Sequence, residues 1–406
     1  MAHSSVPKLA LTPHERVASL GLSSVIGLRM LGLFLMLPVL AVGAGTLTGG
    51  NDPLWLGLAM GAYGLTQALL QLPFGMASDR WGRRPVILIG LGIFVIGSLI
   101  CASADQIEWL ILGRALQGAG AVSAAVSAYL SDLTREEVRT RAMAMVGAAI
   151  GLSFALSMVI APPLFGVWGL AGLFLLTAGL ALAAMLVVIR LPQGQQRPPE
   201  ARVPWRSLLS HGQLQRLNLG IFTMMAIQTS LFVAIPKALV SLDLGLADHW
   251  KVYLPLMLLA FALMVPPILW AERKGRFKPV FLASIGLLVL AMGVFLLAQP
   301  FWSWMLAIAL FMLGFNLLEA LLPSWVSRLA PAGQRGQAMG VYNTSQSIGL
   351  FVGGVAGGAA LSQAGLAGVF WLCGALAVFW GMMSLGLREI GPRSRAPDPE
   401  IQPMNG

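Results

Sequence analysis

Twelve apolar runs, each long enough to cross a bilayer, follow one another with little chain between them. They cover about 17–43, 54–78, 85–103, 109–131, 142–165, 168–190, 217–241, 252–271, 279–298, 301–326, 337–361 and 367–387. A helix needs roughly 20 apolar residues to cross the hydrocarbon core. The chain is 57% hydrophobic and 10% charged, with a mean hydropathy of +0.80; a soluble domain carries about 25% charged residues. So few charges cannot cover a water-facing surface, and the solvent is mostly lipid. The expectation is an all-α membrane protein of twelve transmembrane helices, numbered here spans 1 to 12.

Charge placement orients the spans. Of 26 basic residues, 22 lie in the two terminal segments and the even-numbered gaps. The odd-numbered gaps hold one, Lys251, beside Asp52, Asp105, Glu108, Asp243 and Asp248. Under the positive-inside rule the basic side is cytoplasmic, with both termini on it. The net charge of +10 is then a topology signal and implies no nucleic-acid partner. Trp55, Trp109, Trp168, Trp250, Trp302 and Trp304 open spans on the opposite side, where indoles favour the headgroup level. The N-terminal run is too long for a signal-peptide core and has no small-residue cleavage site. Cys101 and Cys373 lie in apolar runs and read as small hydrophobes.

The gap at 192–216 is polar, bears proline, and divides six spans from six. It reads as a cytoplasmic linker between bundles 1–191 and 217–390, with 391–406 a short tail; 205–209 reads as a short interfacial helix. The bundles repeat one another. Asp79-Arg80-Trp81-Gly82-Arg83-Arg84-Pro85-Val86 matches Glu272-Arg273-Lys274-Gly275-Arg276-Phe277-Lys278-Pro279-Val280 at an offset of 193, rising to 194 after one insertion. Arg139-Thr140-Arg141-Ala142-Met143 matches Arg335-Gly336-Gln337-Ala338-Met339 at 196. Both copies sit on the basic side, so the repeats are parallel, an arrangement that in transporters places the substrate site near the midplane between halves.

These residues carry a family resemblance along about 14–390. Gly75-Met76-Ala77-Ser78-Asp79-Arg80-Trp81-Gly82-Arg83-Arg84 resembles motif A of the major facilitator superfamily, and Leu110 to Ala121, with Arg114, Gln117, Gly118 and Gly120, resembles motif B. Gly32 to Pro38 resembles a motif of twelve-span drug–proton antiporters. Leu28 to Gly32, Tyr63 to Gln67 and Ser131 to Glu136 resemble the YajR-type subgroup of inner-membrane transporters. Two departures stand out. The span 5 antiporter motif has Gly147 and Gly151 in register but then Ala155 and Val159, and it ends in Ala161-Pro162. The soluble C-terminal domain of the subgroup is expected to be absent.

Motif A reads as a gate on the cytoplasmic side, built from Gly75, Asp79, Arg80, Gly82, Arg83 and Asp132. Gly75 permits close helix approach, Gly82 suits a turn needing positive φ, and Arg83 can reach Asp132 at the end of span 4. The resemblance implies that Asp79 faces the N-terminus of span 11 near Gly336, where a carboxylate is favoured. The simpler alternative makes these arginines topology signals only, and Arg84 stands evenly between the two.

Three ionisable residues lie well inside spans: Arg29, Arg114 and Glu319, the candidates for proton coupling. Each costs at least ~2.5–3.5 kcal/mol at a helix centre and so marks a partner or a wet cavity. Glu319 can carry a proton, pair with Arg29 or another cation, or touch substrate. Arg29 can bind an anionic group or compensate Glu319. Arg114 can influence coupling, as its motif implies, or bridge carbonyls. Tyr63, Gln67 and Gln71 along span 2, Asn316 one turn before Glu319, and Asn343 and Gln346 on span 11 read either as cavity lining or as interhelical hydrogen bonding.

No nucleophile–base pair, metal-ligand spacing or Walker A sequence is present, and His3, His14, His211 and His249 all lie outside spans. An enzyme, a metal site and a cofactor are not expected. The expected activity is secondary transport by a monomer in the bacterial inner membrane, whose partners are a small-molecule substrate, protons and lipid. Proton-coupled efflux of amphipathic or hydrophobic molecules is the first reading. Transport of one specific metabolite is the alternative.

Overall fold

The computed structural model describes residues 11–192, 210–298, 300–330 and 334–389. Most of the linker, including 205–209, and the tail from 390 lie outside the described residues. Nine helices among the described residues are long and apolar enough to cross a membrane. Two of these, Glu136–Arg190 and Arg335–Ser384, each hold two spans joined at a sharp reversal. Pro53–Trp81, whose polar face lowers its hydropathy, is span 2 and brings the number of spans to twelve. The others are Pro13–Phe34, Arg83–Ala102, Gly212–Ser241, Trp250–Lys274, Phe277–Leu297 and Phe301–Leu329, with span 4 made of Ile107–Ala119 and Ser123–Leu133. Lipid offers no hydrogen bonds to unpaired peptide groups, which leaves helices or a closed barrel, and continuous apolar runs of roughly 20 residues suit the helix.

The two reversals are equivalent. Gly169 turns the chain between spans 5 and 6 at φ 61° and ψ −168°, and Gly365 turns it between spans 11 and 12 at φ 62° and ψ −158°. Side chains do not tolerate that region. These glycines are 196 residues apart, matching the offset of the basic motif before spans 5 and 11. Packing on the first span of each half follows the same plan. Gly27 in span 1 lies against Ala149 and Ser153 of span 5, and Gly32 against Thr177 of span 6. In the second half, Gly349, Gly353 and Gly357 of span 11 run along Phe222, Ala226 and Ser230 of span 7, while Trp380 of span 12 meets Gly220. Span 5 thus runs parallel to span 1 and span 6 antiparallel, as spans 11 and 12 do to span 7. A serine hydroxyl ties each parallel pair: Ser153 donates to the Gly27 carbonyl at 2.8 Å, and Ser230 to the Gly353 carbonyl at 2.8 Å.

Two spans expected to be continuous are broken. Span 1 stops at Phe34, passes through turns at 35–39, and resumes as Leu40–Gly43. Pro38 has no N–H to bond back, and its ring crowds the Phe34 carbonyl. Span 4 breaks at 120–122, where Gly120 approaches the Gly90 backbone so closely that a Cβ would overlap its carbonyl. Trp304, expected at the headgroup level, is instead only 7% exposed and packs edge-on against Phe295 and Phe370. Trp55, Trp109, Trp168 and Trp302 are exposed as expected.

The halves meet chiefly through spans 2 and 11. Cβ atoms at Gly57, Gly354 or Gly358 would overlap backbone of the opposing helix, and one at Gly61 would sit 2.8 Å from the Phe351 carbonyl oxygen. At the same end Gly166 of span 5 meets Ala247, before span 8. Among the described residues, these glycine-mediated approaches between halves lie between the midplane and the end opposite the basic loops.

Candidate functional site

Three clusters hold the residues singled out above. The first is at the basic end of the first half. Gly82 has φ 96° and ψ 151°, a conformation that only glycine adopts readily, and this reverses the chain between spans 2 and 3. Arg83 is thereby turned back along span 2. Its Nε donates to Asp132 Oδ2 at 3.0 Å, and its Nη1 donates to Ser78 Oγ at 2.9 Å and to the Asp79 carboxylate. One guanidinium therefore joins the ends of spans 2, 3 and 4. Arg84 donates to the Ile189 carbonyl at the end of span 6. The expected close approach at Gly75 is not made: a Cβ there would meet only Ala124 Cβ, at 3.8 Å. Gly336 and Gly340 at the start of span 11 are likewise open: a Cβ at either would have no neighbour within 4 Å.

A second tie at this end was not visible as a motif. Thr12 and Glu15 form a capping box on span 1, and Glu15 also takes a forked pair of bonds from Arg135, at 2.8 and 3.0 Å, plus the Arg135 backbone N–H at 3.0 Å. Two-pronged arginine–carboxylate pairing fixes orientation as well as distance. It fastens span 1 to the turn between spans 4 and 5. The Thr-x-x-Glu spacing was the available signal.

The second cluster is inside the first half. Arg29 is 1% exposed and donates to Ser123 Oγ at 3.0 Å and to Tyr63 Oη at 2.8 Å, with its Cζ 5.7 Å from the Phe94 ring centre. Arg114, 2% exposed, donates to Gln117 Oε1 at 2.8 Å, and its Cζ lies 5.3 Å over the Tyr63 ring. Gln117 Nε2 donates on to Ser98 Oγ at 2.8 Å. Tyr63 thus holds one arginine with its hydroxyl and a second with its ring face. Tyr63, Gln67 and Gln71 are all buried. Arg29, Tyr63, Gln67 and Gln71 are thus all held within the packed interior of the first half. Arg29 does not compensate Glu319 here; hydroxyls take its place.

The third cluster is on the second half. Glu319 is partly exposed, yet its Oε2 is buried without a hydrogen-bond partner among the described residues. Asn316 lies one turn earlier, buried, and Tyr342 of span 11 lies within electrostatic reach. Asn343 and Gln346 are partly exposed, and Gln346 Nε2 approaches Met225 Sδ of span 7 at 3.7 Å. Starting at Phe315, the residue before Asn316, an aromatic ladder crosses between halves: Phe311 and Phe315 of span 10, Phe154 of span 5 and Phe34 of span 1, with ring centres 5.3–6.0 Å apart. Of the candidate residues inside the spans, the partly exposed ones, Glu319, Asn343 and Gln346, belong to the second half, while the buried cations belong to the first.

Comparison with known proteins agrees with this architecture. Residues 22–354 and 256–404 match the profile described as Major Facilitator Superfamily. The inner membrane transport protein YajR of Escherichia coli (strain K12) is 44% identical over 391 residues, covering 93% of this chain and 85% of that protein. The multidrug resistance protein MdtH of Aeromonas hydrophila is 26% identical over 360 residues, covering 85% and 88%. Among solved structures, a D-xylose–proton symporter superposes with a TM-score of 0.72 at 14% identity over 91% of this chain and 98% of that one.

Proposed function

The chain belongs to the major facilitator superfamily, and we propose that this multi-pass membrane transporter of a small-molecule substrate works as a proton-coupled exporter of amphipathic or hydrophobic molecules. The observation that carries the reading is Glu319. It is the one carboxyl well inside a span, it sits beside the partly exposed polar face of the second half, and no cation compensates it among the described residues. Burying a charged carboxylate is expensive, and burying a protonated one is far less so. A side chain that water reaches from alternate sides would therefore load and release a proton with each exposure. The apolar ladder of Phe34, Phe154, Phe311 and Phe315 next to it supplies a surface for an amphipathic substrate. The drug-resistance names of relatives such as MdtH point the same way.

The basic end is the cytoplasmic one in this reading, in the bacterial inner membrane. Contacts between halves then close the outer side, and the chain is inward-facing. When the outer side opens, the basic ends converge, and Asp79, held by Arg83, meets the start of span 11 as a latch. Transport should be measured in proteoliposomes with an imposed pH gradient, comparing wild type with Glu319→Gln. The expected outcome is that the variant inserts normally but its transport no longer responds to the gradient. Gradient-driven transport by Glu319→Gln equal to wild type would overturn the carrier role.

A further inference from the structure

We propose that the crevice between spans 8, 9 and 10 is a binding site for an anionic phospholipid, whose acyl chain fills the crevice and whose phosphate sits on the basic turn between spans 8 and 9. The crevice has a volume of about 300 Å³ and is walled by Leu263 and Pro267 of span 8, Pro279 and Ala283 of span 9, and Leu313 and Leu317 of span 10. Its origin lies in the sequence. Pro266 and Pro267 remove two consecutive backbone donors from span 8, and span 8 packs on span 10 in preference to span 9. The gap left between spans 8 and 9 opens outward, because Leu263 is 49% exposed and Pro279, Ala283, Gly286 and Leu290 form the exposed face of span 9. In a membrane-embedded chain that face meets acyl chains. The lining makes no polar demand, since the Ser284 hydroxyl is spent on the Val280 carbonyl at 2.7 Å.

The mouth of the crevice carries the charge. Pro279 stands at it, and the preceding turn presents Arg273, Lys274 and Arg276, all exposed, with Gly275 in the left-handed conformation that closes span 8. Lys278 gives one bond to the Leu385 carbonyl at 2.7 Å and holds its charge close by. The acids in the neighbourhood are Glu272 on the same turn and Glu389, which accepts the Lys278 backbone N–H. These four cations outnumber the two acids, and Arg328, stacked on Phe277, adds a fifth positive charge beside an apolar slot of acyl-chain character. A neutral headgroup would use the slot and waste the charge; a free anion would use the charge and waste the slot.

Native mass spectrometry of the full chain in mild detergent tests this, with phosphatidylglycerol and phosphatidylethanolamine of identical acyl chains as probes. Wild type should retain phosphatidylglycerol preferentially. Lys274→Gln and Arg276→Gln should each lower that preference by about fivefold, the equivalent of ~1 kcal/mol for a cation near an anionic surface. Ala283→Leu, a mild change on an exposed apolar face, should lower retention of both lipids by blocking the slot. Arg141→Gln, an exposed cation on the first half, should change nothing. Equal retention of the two lipids by wild type would overturn the proposal. So would unchanged retention in Ala283→Leu, or a loss in Arg141→Gln as large as in Arg276→Gln.

Discussion

Tyr63 shows how a membrane interior accommodates charge without an opposite charge. Two guanidiniums flank it, one on its hydroxyl and one over its ring, and both belong to side chains at most 2% exposed. Neither arginine pairs with a carboxylate among the described residues; hydroxyls, an amide and aromatic faces replace one. Cation–π contact strengthens when water is excluded, and a hydrogen bond to a charged donor exceeds a neutral one. Tyr63→Phe separates the two roles, because it keeps the ring for Arg114 and removes the acceptor for Arg29. The stranded Arg29 donor should cost ~1–3 kcal/mol, read as a lower melting temperature of the detergent-solubilised protein with membrane insertion intact. An unchanged melting temperature would mean that the hydroxyl contributes nothing. None of this geometry was legible in the sequence, where Arg29 and Arg114 stood as separate intramembrane charges and Tyr63 as part of a polar stripe. Hydropathy marks such residues as costly but carries no information on which neighbours meet the cost.

At the scale of elements, the sequence was most informative at turns and least at helix–helix contacts. Gly82 was legible because a turn between two long apolar runs requires a particular backbone conformation, and it adopts φ 96°. The break in span 1 was half legible: Pro38 was noted as part of a motif, but an apolar run does not reveal where a helix loses its hydrogen bonds. The meeting of spans 2 and 11 at the end opposite the basic loops was not legible, since Gly57, Gly61, Gly354 and Gly358 are ordinary glycines in lipid-soluble helices until the opposing backbone is known. Their arrangement makes a sharp prediction. A methyl group at Gly57 would overlap the Gly354 carbonyl. That carbonyl is part of a rigid helix and cannot move aside as a flexible side chain would. Gly57→Ala should therefore prise the two spans apart at the end opposite the basic loops. Spin labels at Asp52 and Ser362 should report a longer mean distance than in wild type, and transport should fall. An unchanged distance distribution would place the alternating motion elsewhere.

For the molecule as a whole, the repeat is deeper than the motifs that revealed it. Arg84 donates to the Ile189 carbonyl at the end of span 6, and Lys278 donates to the Leu385 carbonyl at the end of span 12. Donors lie 194 apart and acceptors 196 apart, the same offsets as the motifs. A cation after the second span of each half thus caps the last helix of that half, where carbonyls lack partners and the helix dipole favours positive charge. Nearby the plan diverges. Arg83 pairs with Asp132 in the first half, whereas in the second Arg328 stacks 4.4 Å from the centre of Phe277, so the same spans are tied by a cation and a ring. The capping cation is duplicated, then, while the Arg83–Asp132 ion pair is not. The equivalence of Gly169 and Gly365 can be tested directly. Both lie in the backbone region open essentially to glycine, a Cβ at either would meet nothing within 4 Å, and their dihedral angles agree within 10°. Alanine at either site meets no clash, so its cost is backbone strain alone, ~1–3 kcal/mol. Gly169→Ala and Gly365→Ala should therefore lower the melting temperature by similar amounts. The double variant should show the sum of the two, because the reversals belong to different halves and share no partners. A strongly unequal pair would show that one reversal carries load from outside its own half, and the two halves would then be alike in path but not in mechanics.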